Sequence, residues 1–413
     1  MKEIRIGIFG MKRGGSFIEH ILANNGNIVA VCDKDTDYFD KPRRILGDST
    51  KYFTNFDEFI ETPMDAVLLA NYFHEHTPYA IRCLEKNIHV LSECTSNSTM
   101  AEGVQLVEAA EKSDAFYMLA ENYPFMLFNR EITRVCKEGT LGKILYGEGE
   151  YNHPGNYYST GKIGLYDSLN HWRRRLPSTY YITHSLAPLC YATGAKPVRV
   201  VGMAIYNPAP EDCNTASAVG DISAIITCIN DDNSVFKVTG CAAFGAQGNS
   251  YRICGEKGQI ENLRGTDSNI MLRYNEWDVP EGMKEVNQYK PDIYDKDNEL
   301  IEKAGHGGGD FIVIRKFFEH IRTNTKPEMD EYFATMLASV AILSHRSVLN
   351  NNMPYDVPDF RKAEDRKKFE NDNDTPFHYS DGRTPTIPCS SNPDYAPSEI
   401  QIANFSKRIK FVD

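Results

Sequence analysis

The sequence predicts an α/β protein: an N-terminal Rossmann domain followed by a C-terminal α/β domain with a largely antiparallel open sheet. Three observations carry this. Residues 4–33 read as strand, glycine-bearing turn, helix, strand and terminal acid. From 56 to 122, apolar runs alternate with helical stretches, the pattern of a parallel sheet covered on both faces. Beyond 144, strand-like segments follow one another without intervening helices, the pattern of an antiparallel sheet with one covered face.

The first unit opens with the apolar run 4–9 and a turn, Gly10-Met11-Lys12-Arg13-Gly14-Gly15. A helix over 16–24 follows, with Phe17, Ile18, Ile21 and Leu22 on one face, and a second apolar run, 28–32, ends at Asp33. Glycine lets a backbone approach a pyrophosphate, and a helix N-terminus offers it free N–H groups. An acid about 20 residues past the turn accepts hydrogen bonds from the ribose hydroxyls. The glycine motif is incomplete, since Lys12 stands where the middle glycine belongs; Gly10 and Gly15 hold the outer places. The strand–turn–helix–strand–acid context favours a dinucleotide over an ordinary βαβ turn. Asp33 favours NAD over NADP because a carboxylate repels a 2′-phosphate, while Lys12, Arg13 and Lys34 pull the other way.

Further strands are expected at 65–70, 88–92 and 115–120, with helices at 56–60, around 80–84 and at 100–112. Their carboxyl ends carry Asn71 to His76, Glu93-Cys94 and Glu121-Asn122, where ligands of such sheets bind. A helix at 128–137, a turn at 139–143 and a strand at 144–151 lead to Asn152-His153 and a loop rich in tyrosine and glycine. A helix over 180–193 carries His184 near its start. Strands are expected at 198–203, 224–229, 234–240, 250–254 and 259–263, then an irregular charged excursion over 267–303. Gly305-His306-Gly307-Gly308-Gly309-Asp310 precedes a helix at 311–323, and a second long helix spans 332–350. The expected division is 1–122, 123–360 and an extended tail, 361–413, packed on the surface or on a neighbouring subunit.

The chain has 413 residues and a net charge of −12, which disfavours nucleic acid as a partner. Ten cysteines without C-x-x-C spacing read as reduced thiols of a cytoplasmic protein. No apolar run approaches the length of a membrane span. His74 and His76 lack a third nearby ligand, so no metal is expected.

The order of these motifs resembles the Gfo/Idh/MocA oxidoreductases over about residues 4–360, through the first unit, Asn71 to His76, Glu93-Cys94-Thr95, Glu121-Asn122-Tyr123, the 139–143 turn, the Gly-His-Gly-Gly-x-Asp segment and Val357-Pro358-Asp359-Phe360. The resemblance implies NAD(H) or NADP(H), a sugar or polyol substrate, and an open sheet that commonly makes a dimer contact, hence a homo-oligomer, dimer or tetramer. Two positions depart: Asn71-Tyr72 replaces the family's Thr-Pro, and Cys94 replaces the lysine of its Glu-Lys-Pro, which serves as a proton-transfer group. A thiol can transfer some protons but supplies no fixed positive charge.

Within that family, Tyr151-x-His153 and Tyr181-Ile182-Thr183-His184-Ser185-Leu186-Ala187-Pro188 are similar to segments of the NAD-dependent α-N-acetylgalactosaminidases. Those enzymes cleave glycosides without net redox change. C3 is oxidised, the C2 proton is removed, the aglycone is eliminated, water adds and the hydride returns. The similarity implies catalytic roles for Tyr151, His153, Tyr181 and His184, and a cofactor set of Gly10, Lys12, Arg13, Gly15, Asp33, Asn71, His74, His76, Glu93 and Asn122. It implies substrate contacts for Cys94, Trp172, Arg173, His306 and Asp310. Several have a plainer alternative: His184 as a packed helix-start residue, Tyr151 and His153 as rim residues at a strand end, Tyr181 as core, His306 and Asp310 as a turn at a helix N-terminus, and Arg173-Arg174-Arg175 as a solvated run. The expected function is NAD-dependent oxidation of a glycoside hydroxyl, C3 favoured, possible within a redox-neutral cleavage cycle; the alternatives are a simple sugar or polyol dehydrogenase and a non-catalytic dinucleotide- or carbohydrate-binding protein.

Overall fold

The structure is a computed structural model and describes residues 2–163, 166–266 and 268–409. The N-terminal sheet is six-stranded and parallel. Its strands are β1 (Ile4–Phe9), β2 (Gly26–Cys32), β3 (Lys51–Phe53), β4 (Ala66–Leu69), β5 (His89–Ser92) and β6 (Tyr117–Leu119), in the order β3-β2-β1-β4-β5-β6. The order reverses between β1 and β4, so the ligand crevice of this architecture opens above their carboxyl ends. Strands β4 and β6 are buried along their whole lengths, as a sheet covered on both faces requires.

The turn after β1 is shorter than the expected 10–15 segment. Gly10 alone makes it, at φ 92, and α1 (Met11–Gly14) starts at once. A Cβ on Gly10 would lie 2.3 Å from the Ala70 carbonyl, so only glycine fits between the two strand ends. After a 3₁₀ turn over Gly15–Phe17, the helix resumes as α2 (Ile18–Ala23). The remaining helices of this half are α3 (Asp40–Leu46), α4 (Phe56–Phe59), α5 (His76–Glu85) and α6 (Met100–Lys112). Thr99 and Glu102 close a reciprocal capping box on α6.

The second half begins with α7 (Leu127–Lys137), β7 (Ile144–Asn152) and α8 (Thr183–Thr193), and continues through β8 (Pro197–Tyr206), β9 (Asp221–Asn230), β10 (Val235–Thr239), β11 (Gly248–Gly255) and β12 (Gly258–Asn262). The segment expected to be irregular holds β13 (Ile270–Tyr274), β14 (Val286–Tyr289) and α9 (Asn298–Lys303). With β15 (Tyr355–Asp356) they form a nine-stranded sheet, β14-β13-β12-β11-β7-β10-β9-β8-β15, in which only the β7–β10 pair is parallel. Ile226, Cys228, Phe236, Val238 and Ile253 are buried on the covered face, whereas Leu145, Met203 and Ile229 are exposed on strands of the same sheet.

The long helices α10 (Gly309–Thr323) and α11 (Glu331–Leu349) join the halves, α10 packing on α2 and α11 lying between α6 and β8. The tail then returns over its own chain. It includes α12 (Ala363–Phe369) and α13 (Glu399–Ser406), while 410–413 lie outside the described residues. Phe377 is fully buried against the rings of Phe73, His74 and Tyr180. Asp372 pairs with Arg346 of α11, and Ser391 N donates to Asp221 of β9 at 2.7 Å. The last described turn reaches the loop after β7: Ile409 bridges Ile163, and Arg408 donates to the Gly161 carbonyl at 3.0 Å.

Candidate active site

A cavity of about 490 Å³ runs along the carboxyl ends of β1, β2, β4 and β5 and under the loop after β7. Gly10, Lys12, Arg13, Asp33, Asn71, His76 and Glu93 line it from the first half, and Asp167, Trp172, Arg173 and Tyr181 from the second. The residues fit a dinucleotide on two counts. Asp33 has the place of the ribose acid; its carboxylate accepts from Met11 N (2.6 Å) and Asp35 N (2.9 Å), each oxygen keeping a second acceptor site, while burial lifts its pKa. Asn71 Oδ1 and His76 Nε2 are buried in the wall without a hydrogen-bond partner among the described residues, as groups awaiting a polar ligand would be. His76 Nδ1 donates to Thr95 O at 2.8 Å, and burial lowers its pKa to about 4, so the ring is neutral.

A clasp crosses this cavity. Lys34 Nζ lies 2.9 Å from Asp167 Oδ2 and donates to Tyr72 Oη at 2.5 Å, and Tyr72 in turn donates to Asp167. Asp167 belongs to the loop that the tail holds down. Trp172 is buried in that loop, stacked on Phe73 at 5.0 Å and 15°, and the Arg173 guanidinium lies 4.4 Å over its ring. Arg174 and Arg175 are not part of the cavity: they donate to the carbonyls of Ala216 and Pro376.

Beyond the Glu93–Cys94–Tyr181 end of the cavity stands a buried cluster around His184, whose members Glu121, Tyr123, Tyr151 and His184 are not among the described residues that line the cavity. His184 Nδ1 lies 2.9 and 3.1 Å from the two carboxylate oxygens of Glu121. A carboxylate only accepts, so Nδ1 carries a proton toward Glu121 and Nε2 is the ring nitrogen left for a second partner. Burial works to raise the Glu121 pKa, but His184, Cys94 and Thr183 outweigh it and hold the carboxyl below its ordinary value. Three tyrosines wall the imidazole: Tyr123 stacked at 4.0 Å, Tyr151 edge-on at 5.0 Å and Tyr181 edge-on at 5.1 Å. Burial pushes all three phenols up, Tyr151 to about 12, so they stand as neutral donors. His153 stacks on Tyr151 at 5.8 Å from the exposed side.

Local sequence explains this placement. Glu121 lies two residues past the end of β6, and its Oε1 accepts from Tyr123 N at 3.1 Å. Gly149 lets the start of α8 press on β7: a Cβ there would lie 2.0 Å from the Ser185 carbonyl. Pro188 leaves the His184 carbonyl without its helical N–H donor, and Tyr251 Oη donates to that carbonyl at 2.5 Å.

Several expected residues play other parts. His74 does not line the cavity: its Nε2 bonds the His378 carbonyl at 2.8 Å in the tail, and burial lowers its pKa to about 3. Gly15 is also off the wall; Gly14 makes the close helix–strand contact instead, where a Cβ would lie 2.4 Å from Ile8 Cγ2. Asp310 is a buried hub rather than a substrate contact. It accepts from Arg13 (2.8 and 3.1 Å), Asn122 Nδ2 (2.7 Å) and His306 Nδ1 (3.0 Å). Burial alone would raise its pKa, but His306 and Arg13 hold it far below the ordinary range. Asp310 thereby holds Asn122 Nδ2, while Asn122 Oδ1 is buried with no hydrogen-bond partner among the described residues, and Arg13 is divided between Asp310 and Glu93 (2.8 Å). The Cys94 thiol donates to Glu121 at 3.1 Å; burial and the carboxylates push its pKa well up, so it is a fixed donor rather than a proton carrier. The sequence did not assign roles to Glu121, Tyr123, Tyr72 or Asp167. Glu121 carried a signal, an acid at a strand end beside Asn122; Asp167, in a loop without periodicity, carried none.

Residues 4–121 match the model of the oxidoreductase family with the NAD-binding Rossmann fold, Gfo/Idh/MocA, and residues 209–367 match the glycosyl hydrolase 109 C-terminal domain. The chain is 27% identical over 409 residues to a glycosyl hydrolase family 109 protein of Saccharopolyspora erythraea, covering 88% of this chain and 84% of that protein. It is 25% identical over 408 residues to another from Phocaeicola vulgatus, covering 88% and 85%. Among solved structures it is similar in fold to levoglucosan dehydrogenase in complex with NADH and levoglucosan (TM-score 0.73, 16% identity, 86% of this chain and 100% of that one). It is also similar to an oxidoreductase from Agrobacterium radiobacter in complex with NAD⁺, L-tartaric acid and magnesium (TM-score 0.67, 12% identity, 86% and 98%). The chain thus carries, in order, a region that matches the NAD-binding Rossmann fold of the Gfo/Idh/MocA oxidoreductases and a region that matches the glycosyl hydrolase 109 C-terminal domain.

Proposed function

We propose that this protein is an NAD-dependent carbohydrate oxidoreductase that oxidises a glycoside at C3 and cleaves the glycosidic bond in a redox-neutral cycle. The observation that carries the reading is the Glu121–His184 pair walled by three neutral phenols beyond one end of the dinucleotide cavity. The glycosyl hydrolase 109 names of its relatives point the same way.

Gly10, Lys12, Asp33, Asn71 and His76 would hold the cofactor. A nicotinamide bound there supplies reversible exchange of a hydride with a carbinol carbon. Glu121 fixes the His184 ring, leaving Nε2 to take a proton from a substrate hydroxyl or from the carbon next to a ketone, and it stabilises the imidazolium that results. Tyr151, neutral and beside that ring, donates a hydrogen bond or a proton to a substrate oxygen. Arg173, over Trp172 in the same cavity, supplies positive charge that the thiol of Cys94 does not. The Lys34–Tyr72–Asp167 clasp and the buried aromatic rings keep bulk water out. A plain dehydrogenase needs one proton acceptor, whereas cleavage needs proton handling at two substrate positions, which this cluster offers.

The test is incubation of the purified protein and NAD⁺ with 4-nitrophenyl glycosides of common hexoses and N-acetylhexosamines. Aglycone release without accumulating NADH supports the reading. NADH formed in step with substrate, the glycosidic bond staying intact, overturns the cleavage part.

A further inference from the structure

We propose that the C-terminal tail completes the cofactor site: Ser380 holds Glu75 as a wall of the adenosine end, so that tail docking and dinucleotide binding reinforce each other. The inference rests on the cofactor reading of the cavity and is independent of the cleavage chemistry. The described residues that line the cavity lie between Phe9 and Tyr181 in the sequence, except Ser380, which comes from the tail. Ser380 is there because of Glu75, a buried carboxylate in the same wall. Glu75 accepts from Ser380 N at 2.5 Å and from Ser380 Oγ at 2.9 Å, one bond on each oxygen. His74 Nε2, at 3.6 Å, is neutral and already bonded to the His378 carbonyl. Burial lifts the Glu75 pKa, and the two Ser380 bonds are the main opposition to that lift. A buried carboxylate stripped of its donors is strongly unfavourable, so the tail turn and the Glu75 loop are ordered together.

The place is the adenosine end. Glu75 interacts electrostatically with Lys34, the neighbour of the ribose acid Asp33, and with Tyr79. The Tyr79 ring packs edge-on against Phe9 (4.7 Å) and Phe56 (4.6 Å), and all three line the cavity. Aromatic rings with a carboxylate beside them suit a purine that carries an amino donor. Each Glu75 oxygen has two acceptor sites, and Ser380 fills one on each, which leaves the second for a ligand.

The tail also grips the opposite wall. Phe405 packs edge-on against Tyr166 at 5.0 Å, and Tyr166 lines the cavity next to Asp167 of the clasp. Arg175 Nε, from the same loop, donates to the Pro376 carbonyl at 2.9 Å. One run of chain is thereby fastened to both walls of the cavity. Its docking orders the Glu75 wall that an adenosine meets, and a bound adenosine holds the wall on which the tail docks. Linkage makes the two effects equal.

Tyr379→Ala in the full chain tests this without touching the cavity. The Tyr379 ring anchors the turn from behind, under the Arg383 guanidinium at 3.7 Å and bonded to the Ser98 hydroxyl, and it is not among the described lining residues. Ser380→Ala removes one of the two bonds to Glu75 directly, Tyr379→Phe is the conservative control, and thermal melts establish folding. The ligands are NAD⁺ and ADP-ribose, which lacks the nicotinamide, and calorimetry gives Kd. Both values are expected to rise roughly 5- to 150-fold in Tyr379→Ala, the usual range for coupled sites, with Ser380→Ala at the low end and Tyr379→Phe near wild type. In the wild type, saturating ADP-ribose should slow hydrogen exchange of the Ser380 amide by a similar factor. Unchanged affinities in folded Tyr379→Ala and Ser380→Ala overturn the proposal, and so does Ser380 exchange that ADP-ribose leaves unaltered. A loss confined to NAD⁺ overturns it as well, because the effect would then lie at the nicotinamide end. If the wild type binds neither ligand, the cofactor site itself fails and takes the tail's role with it; binding of both without glycoside cleavage fails the proposed cycle alone.

Discussion

Replacing Glu121 by glutamine probes the link between fold and chemistry most sharply. The Glu121 side chain is fully buried, and its carboxylate gathers His184 Nδ1 (2.9 and 3.1 Å), Cys94 Sγ (3.1 Å) and Tyr123 N (3.1 Å). With the amide oxygen kept toward Tyr123 N and His184 Nδ1, glutamine preserves shape and tautomer and places its NH₂ toward Cys94. What is lost is the negative charge behind the imidazole. An opposite charge at this range favours the ionised partner by about 1–3 pKa units, or roughly 1.4–4 kcal/mol. The imidazolium formed as Nε2 takes its proton loses that amount, which is about 10- to 10³-fold in rate. The fold should suffer far less, because a buried charge is exchanged for a neutral amide of the same size. The assay is kcat for nitrophenol release at saturating NAD⁺, with NAD⁺ affinity and a thermal melt measured alongside. A kcat loss in that range with unchanged NAD⁺ binding is expected. Wild-type kcat in Glu121→Gln would refute the reasoning, and so would a loss confined to KM.

Other consequences are more local. Asp167→Asn removes the ion pair with Lys34 and weakens the bond from Tyr72; at about 1–2 kcal/mol, NAD release followed by cofactor fluorescence should speed up roughly 5- to 30-fold. An unchanged release rate would show that the clasp does not retain the cofactor. Phe377→Ala empties a fully buried site between Phe73, His74 and Tyr180, so denaturant melts should show a loss of about 3–5 kcal/mol; a loss below 1 kcal/mol would mean that the tail is not integral to the fold. His345, fully buried and donating to Pro388 O, has its pKa lowered by burial from 6.5 to about 4. A depressed imidazole contributes stability that is complete above its unfolded value and is lost as pH falls toward the folded one. Between pH 6.5 and 4, wild-type stability should therefore fall faster than that of His345→Gln, by up to about 1.4 kcal/mol per pH unit. Parallel acid limbs for the two proteins would contradict this.

Much of the architecture was legible because hydrophobic period and turn residues are local signals. The β1–Gly10–helix–β2–Asp33 unit and the carboxyl ends of β4, β5 and β6 lie where the pattern put them. Strand β14 escaped detection because Val286-Asn287-Gln288-Tyr289 has little apolar content and pairs only with β13, at the sheet edge. His184 and Tyr151 were legible as candidates, but the carboxylate that orients His184 lies 63 positions away and is named only by the packing. Asp310 illustrates the limit best. It stands in a glycine-rich segment suited to a ligand, yet its carboxylate is consumed by Arg13, 297 positions earlier, and by Asn122. Cys94 is the converse: the sequence showed that lysine was missing, and only burial beside Glu121 shows the thiol locked as a donor. The tail lacked any periodic signal because it follows the surface of its own chain instead of forming a layer.

The central claim is that glycosidic cleavage passes through loss of the C2 proton to a base at this site. The direct measurement is cleavage of an aryl glycoside in D₂O, with mass and NMR analysis of the released sugar. Solvent deuterium at C2, in step with aglycone release and abolished in His184→Ala, is the predicted result. Released sugar that keeps its original C2 hydrogen would contradict the account.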